Sequence, residues 1–264
     1  MRYTYRYKKN QDYWSERWAN LPVDDEMSNE LIYPLKNAIS TIKDDKDGKI
    51  LEAGCGNGRV LRFFHNKGYN IHGIDFIQNA INKIKKADVN LLVSCQSILN
   101  TDFKEDEFKY ILAFGLYHNF RKDLTPALNE TSRILRKEGV LLASFRADNL
   151  QNLILDEVTK KRQYLKDNKG EKHFHKANFT LKDLNLLFSK SNFKIISINR
   201  EFNMPFLFKF KIFRHTNQKN FNEKSGRNEG YKLNFFGNLI FKVLKFLFPT
   251  QFCSLYIVTA KLKE

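Results

Sequence analysis

Two spacings of apolar residues alternate along this chain. Short continuous apolar runs cover 49–53, 70–74, 90–94, 109–114 and 140–145, and they predict strands. Between them lie segments whose apolar positions recur every three or four residues, over 59–66, 80–87 and 125–136, and these predict helices. In 59–66 the apolar positions are Val60, Leu61, Phe63 and Phe64; in 125–136, Leu128, Ser132 and Leu135 share one side. Gly68 follows the first helix as a C-terminal cap. Thr180, with Asp183 three residues on, opens another helix with a capping-box pair. Strands over 194–199 and 252–260 complete the pattern. Apolar strands alternating with helices predict an α/β fold, with a parallel sheet covered on both faces.

Three stretches stand outside this alternation. Residues 1–20 are aromatic and polar, with Tyr3, Tyr5, Tyr7, Tyr13, Trp14 and Trp18. The i,i+4 pairs Tyr13–Arg17 and Trp14–Trp18 predict a short helix. Leu31, Leu35, Ala38, Ile39 and Ile42 predict a second helix over 29–42. The third stretch is a Phe- and Lys-rich insertion, 202–250. Its segment 206–213 is apolar with interspersed lysines, and 234–248 reads as a helix before Pro249. The polar positions of that helix, Asn234, Asn238, Lys242 and Lys245, form one narrow stripe. Such a helix requires most of its circumference covered. Packing across the sheet, a seam with a partner chain, and a membrane interface all satisfy that requirement. At ~15 residues the helix is too short to span a bilayer, and lysines beside aromatics suit an anionic lipid surface.

The 264 residues match one α/β domain of ~250 residues. A composition of 42% hydrophobic and 28% charged residues excludes a disordered or fibrous chain. Cys55, Cys95 and Cys253 form no CxxC, which argues against a disulfide scaffold and a cysteine zinc site and for a reducing compartment. The first 20 residues lack an apolar core, so a cytoplasmic location is expected, with peripheral membrane contact through 206–248 as one reading. The formal charge of +16 is unevenly spread. Residues 1–150 carry 23 Lys+Arg against 20 Asp+Glu, and residues 151–264 carry 22 against 9. The excess therefore belongs to the second part, where nucleic acid, an anionic surface and simple codon bias are the readings.

The candidate chemistry lies at the strand ends, where open α/β sheets bind ligands. Gly54, Gly56 and Gly58 follow the first strand of the alternation, and the next helix offers its free N–H groups. Asp75 closes the following strand, 21 residues after Gly54. An acid at that offset accepts hydrogen bonds from ribose hydroxyls, so the unit predicts an adenosine-type ligand. The dinucleotide fingerprint G-x-G-x-x-G/A puts its last position on Arg59, which disfavours a nicotinamide cofactor.

LEAGCGNGR (51–59), GID (73–75) and ALNETSRILRKEGVLLASF (127–145) resemble the class I S-adenosylmethionine-dependent methyltransferases. The resemblance covers 48–146 well and 173–195 loosely. It implies a Rossmann-like, seven-stranded, mostly parallel sheet with an antiparallel last strand. Around that core (48–201) stand an N-terminal helical lid (1–47), the insertion (202–250) and the last strand (251–264), all in one domain. It also implies that Gly54, Gly56 and Gly58 line the methionine moiety of S-adenosylmethionine, with Glu52, Cys55 and Asn57 in the same loop. Asp75 would hold the ribose, with Phe76 and Ile77 beside the adenine. Gln96, Ser97 and Ile98 stand where many relatives carry an acid for the adenine amino group. Phe114 and Gly115 would face the sulfonium and the acceptor. Tyr117 and His118 are the catalytic candidates: Tyr117 and one of Tyr13 or Trp14 as aromatic faces for the sulfonium, His118 as the base for a hydroxyl nucleophile. The implied reaction is an in-line displacement driven by alignment, without a metal.

The expected function is methyl transfer to an O or N nucleophile of a small-molecule, lipid-linked or glycan-linked acceptor. An RNA acceptor bound by the basic second part is the alternative, and the segment Phe114-Gly115-Leu116-Tyr117 departs from the tetrapeptides of adenine N6 chemistry. A non-catalytic protein that binds S-adenosylmethionine is the third reading. His173 and His175 form H-x-H without a third ligand in view, so no metal site is expected.

Overall fold

The computed structural model describes residues 1–21, 29–164, 170–220, 226 and 229–264. Parts of the expected lid (22–28) and of the insertion (221–225, 227 and 228) lie outside the described residues.

A seven-stranded sheet forms the centre. Its strands are β2 (Ile50–Ala53), β3 (Ile71–Asp75), β4 (Leu92–Cys95), β5 (Phe108–Ala113), β6 (Leu135–Arg146), β8 (Phe193–Glu201) and β9 (Leu255–Leu262). Their spatial order is β4-β3-β2-β5-β6-β9-β8, and β9 runs antiparallel to both neighbours. The inner strands β2, β3 and β5 are almost wholly buried because both faces are covered. On one face, α2 (Leu35–Ile42), α3 (Arg59–Asn66) and α4 (Gln78–Ala87) pack Ala38, Leu61, Phe64 and Ile84 against Ile50 and Leu112. On the other, α5 (Leu124–Ile134) and α7 (Leu181–Ser189) pack Leu128, Leu184 and Phe188 against Leu51, Ile111 and Phe145. Thr180 and Asp183 form the expected capping box at the start of α7. The seven-stranded, mostly parallel sheet with its antiparallel strand is the expected fold class.

The N-terminal region departs from expectation. Residues 2–6 are a strand, β1 (Arg2–Arg6), which pairs antiparallel with β7 (His173–Asn178) in a separate two-stranded sheet. Only then does the expected helix follow, as α1 (Asn10–Asn20). The helix expected over 29–42 starts at Leu35, because Pro34 has no N–H to donate and suits a helix start. A third departure is α6 (Leu150–Tyr164), which the apolar spacing does not announce. Arg146, the last residue of β6, and Asp148 just after it serve this packing. Arg146 donates to Asn178 and Asp156, and Arg2 donates to Asp148 and Asp156, tying β1 and α6 to the end of β6.

The insertion holds a small core of its own. Leu207, Phe208, Leu233, Phe241 and Phe252 bury one another beneath α8 (Phe235–Leu247), which Asn234 caps by accepting from the Gly237 N–H. No helix among the described residues is long and apolar enough to cross a membrane.

Candidate active site

A cavity of about 560 Å³ opens at the carboxyl ends of β2, β3, β4 and β5. Its floor is the turn after β2. Gly54, Gly56 and Gly58 take left-handed φ values of 76°, 55° and 73°, a conformation that side chains strain. Space excludes a side chain as well: a Cβ on Gly56 would lie 2.6 Å from the Trp18 ring.

Asp75 holds this turn in place. Its Oδ2 accepts from the Gly56 N–H at 2.9 Å, and its Oδ1 accepts from the Ile77 N–H at 3.0 Å. Each oxygen keeps lone-pair capacity for a ligand. Burial raises the Asp75 pKa, while the amides of Ile77, Gly56 and Phe76 oppose the rise. Glu52 sits at the N-terminus of α3, where Oε2 accepts from the Leu61 N–H at 2.8 Å. Burial pushes its carboxyl up to about 8, against the Leu61 amide and the Arg59 charge.

The expected site residues divide into two groups. Glu52, Gly54, Cys55, Gly56, Asp75, Phe76, Gln96, Ser97, Ile98, Phe114, Gly115 and His118 line the cavity. Asn57, Gly58, Ile77 and Tyr117 are not among its lining residues. Gly58 turns the chain into α3 and packs toward Ile84, and Ile77 caps α4 with its N–H on Asp75. Asn57 is buried within the loop. Cys55 packs toward Gly73, and burial raises its thiol well above the ordinary value.

Tyr117 requires correction. Its side chain is fully buried, stacks on Phe145 and shares a 2.7 Å hydrogen bond with the Thr131 hydroxyl. The preceding turn at Gly115 carries the residue into the core and leaves His118 facing the cavity. His118 lines the cavity, as expected. Burial, reinforced by Lys176 and Arg146, pushes its imidazole down to about 3. Such a group is neutral at pH 7 but poorly matched to act as a base there. Its Nδ1 is buried without a hydrogen-bond partner among the described residues.

Aromatic residues roof the cavity. Trp14 and Trp18 of α1 stack on each other with centroids 5.5 Å apart, and both line it. The Lys83 ammonium anchors the end of α1 by donating to the carbonyls of Trp18, Ala19 and Leu21. Tyr13, the other aromatic candidate, points elsewhere: its ring takes the Arg6 guanidinium at 3.6 Å. Sequence reasoning missed Tyr33, Asn10 and Asn119. Tyr33 lies edge-on to Phe114 and shares Ser144 Oγ with the Gly115 N–H. Asn10 donates to the His175 carbonyl, so β7 positions this wall. A polar residue opening α1 was the only local signal. His173 and His175 lie on β7, and no metal-holding group of three or more His, Cys, Asp or Glu exists among the described residues.

The chain matches a family described as "Methyltransferase domain" over residues 26–198. No curated protein matches the sequence. Solved structures share the fold at low identity. An S-adenosylmethionine-dependent methyltransferase of Methanosarcina mazei is 18% identical with a TM-score of 0.57, over 88% of this chain and 99% of that one. The 1,6-didemethyltoxoflavin-N1-methyltransferase of Burkholderia thailandensis, solved with 1,6-didemethyltoxoflavin and S-adenosylhomocysteine, is 14% identical with a TM-score of 0.51, over 87% and 78%. The PH0226 protein of Pyrococcus horikoshii is 13% identical with a TM-score of 0.55, over 94% and 99%. The family match spans well over half of the chain, and the fold and loop agree with it: the chain belongs to the class I S-adenosylmethionine-dependent methyltransferases.

Proposed function

We propose that this enzyme transfers a methyl group to an oxygen or nitrogen nucleophile of a small-molecule or lipid-linked acceptor. One observation carries the reading of the site: the left-handed glycine turn is tied by its Gly56 amide to the Asp75 carboxylate at the wall of one cavity. When bound, S-adenosylmethionine supplies an electrophilic methyl group on a sulfonium.

The residues present fit that cofactor. Asp75 has lone pairs left for two ribose hydroxyls. The exposed Phe76 ring and the buried Ile98 offer apolar surfaces for an adenine, with Ser97 and Gln96 at its edge. Gly54 and Gly56 allow close backbone approach to the methionine end, and Glu52 supplies a carboxyl for its ammonium. Trp14, Trp18 and Tyr33 present aromatic faces to a cation and exclude water.

At the acceptor end stand Asn10, Asn119 and His118. His118 faces the acceptor with a neutral ring, which can orient it. A labelled-methyl assay on separated lipid, small-molecule, protein and RNA pools tests the proposed acceptor class. Label entering the lipid or small-molecule pool agrees with the proposal. Label entering only RNA or protein overturns the acceptor class, and no transfer to any pool indicates a non-catalytic binding protein.

A further inference from the structure

The insertion reverses the usual order of burial. In α8 only Gly237 and Phe241 are buried, while Phe235, Phe236, Leu239, Val243, Phe246 and Leu247 face solvent. Phe246 is 84% exposed and Phe235 74%. At 100° per residue these positions fall within one continuous arc of roughly 120°, a full helix face. Ile212, 77% exposed, extends it, because Asn234 Nδ2 donates to the Ile212 carbonyl and draws that loop to the helix start.

This face is not core that failed to close. The opposite side of α8 already seals the small core through Phe241, which meets Phe202 edge-on. Gly237 lies so close to the Phe213 carbonyl that a Cβ there would come within 3.0 Å. The helix is therefore held with its apolar side outward. An exposed apolar surface of this extent marks an interaction site.

Charge selects the occupant. Exposed Lys211 and Lys242 border the face, and residues 202–250 carry nine Lys+Arg against two Asp+Glu. A second copy of the chain would bring like charges together around the seam. RNA would match the lysines and leave the phenylalanines in water. A bilayer surface with anionic headgroups satisfies both, taking the rings into the acyl boundary and the ammonium groups to phosphate. The 13 residues of α8 give a length of about 20 Å, which suits a helix lying in the interface plane.

We infer that α8 and the Ile212 loop dock this enzyme on an anionic membrane surface, with α8 parallel to the bilayer. The inference rests on the insertion alone and stands apart from the acceptor reading. Flotation of the full chain with vesicles tests it. The wild type is expected to float with phosphatidylcholine vesicles containing phosphatidylglycerol, to stay behind with pure phosphatidylcholine, and to be released by salt. A Phe235→Ser/Phe246→Ser variant should lose flotation, and Lys211→Gln/Lys242→Gln should weaken partitioning roughly 25-fold. Both variants should keep the wild-type melting temperature and its rise with S-adenosylmethionine, which shows that they are folded. Wild-type protein that ignores the anionic vesicles overturns the inference. So does a wild-type dimer that Phe235→Ser/Phe246→Ser converts to monomer, since the face then belongs to a second copy.

Discussion

Helices α3 and α8 both carry paired phenylalanines, and they use them in opposite ways. In α3, Phe63 and Phe64 are 3% and 1% exposed, locked against the sheet. In α8, Phe235 and Phe236 are adjacent in the same manner, yet both point to solvent. Charge follows the same division: Lys+Arg and Asp+Glu nearly balance over 1–150, and the excess lies in 151–264. One region spends its apolar surface on folding and on shaping a cavity. The other keeps a small core and presents the remainder outward, and residues 202–250 carry nine Lys+Arg against two Asp+Glu.

The largest effect expected is on the cofactor side. Asp75→Ala removes the acceptor of two buried amides, each costing about 1–3 kcal/mol when left unsatisfied, as well as the ribose contacts. It should lower affinity for S-adenosylmethionine by about 100-fold or more and erase the rise in melting temperature expected of the wild type. Next comes the contrast within α8. Phe241→Ala should cost about 3 kcal/mol in denaturant unfolding, whereas Phe246→Ala should stay within about 0.5 kcal/mol of wild type. Equal costs at the two positions would mean that the outward face is core after all. Gly56→Ala places a Cβ against Trp18 at a left-handed φ, and strain of about 1–3 kcal/mol should appear as weaker cofactor binding in calorimetry.

A separate effect concerns pH. Glu52 has its pKa raised from 4.5 to about 8, so the folded chain retains a proton that the unfolded chain releases. Stability without cofactor should therefore fall as pH rises from about 4.5 to about 8, and Glu52→Gln should flatten that slope. Cofactor affinity should change in the opposite direction. A cationic ligand prefers the ionised carboxylate, so binding should tighten by up to about ten-fold between pH 6 and pH 7, where the ligand's ammonium keeps its charge, in the wild type, and not in Glu52→Gln.

The cofactor side was the legible part of the sequence. A glycine turn and a strand-end acid are local constraints, and the helix over 59–66 appears where its apolar spacing puts it. What escaped depends on distant partners. The alternating tyrosines of β1 form a strand only because β7 lies beside them, more than 160 residues on. Helix α6 hides its period because polar Gln151 and Asn152, bonded to Ser254 and the Ala147 carbonyl, are buried along with Leu155, while Leu150 and Leu153 face out. Tyr117 looked like a site residue from its place after β5, but the Thr131 hydroxyl one helix away draws it inward. The narrow polar stripe of α8 was readable, and its direction was not. That direction depends on where Phe202 and Phe213 sit.

The central claim is that the cavity at the glycine turn and Asp75 holds S-adenosylmethionine, independently of the outward face of α8. Titration calorimetry of the cofactor into the wild type and the Phe235→Ser/Phe246→Ser variant tests it most directly. The account predicts one-to-one saturable binding of equal strength in both proteins, competed by S-adenosylhomocysteine. Absence of saturable binding to the wild type, or its loss in the surface variant alone, would contradict it.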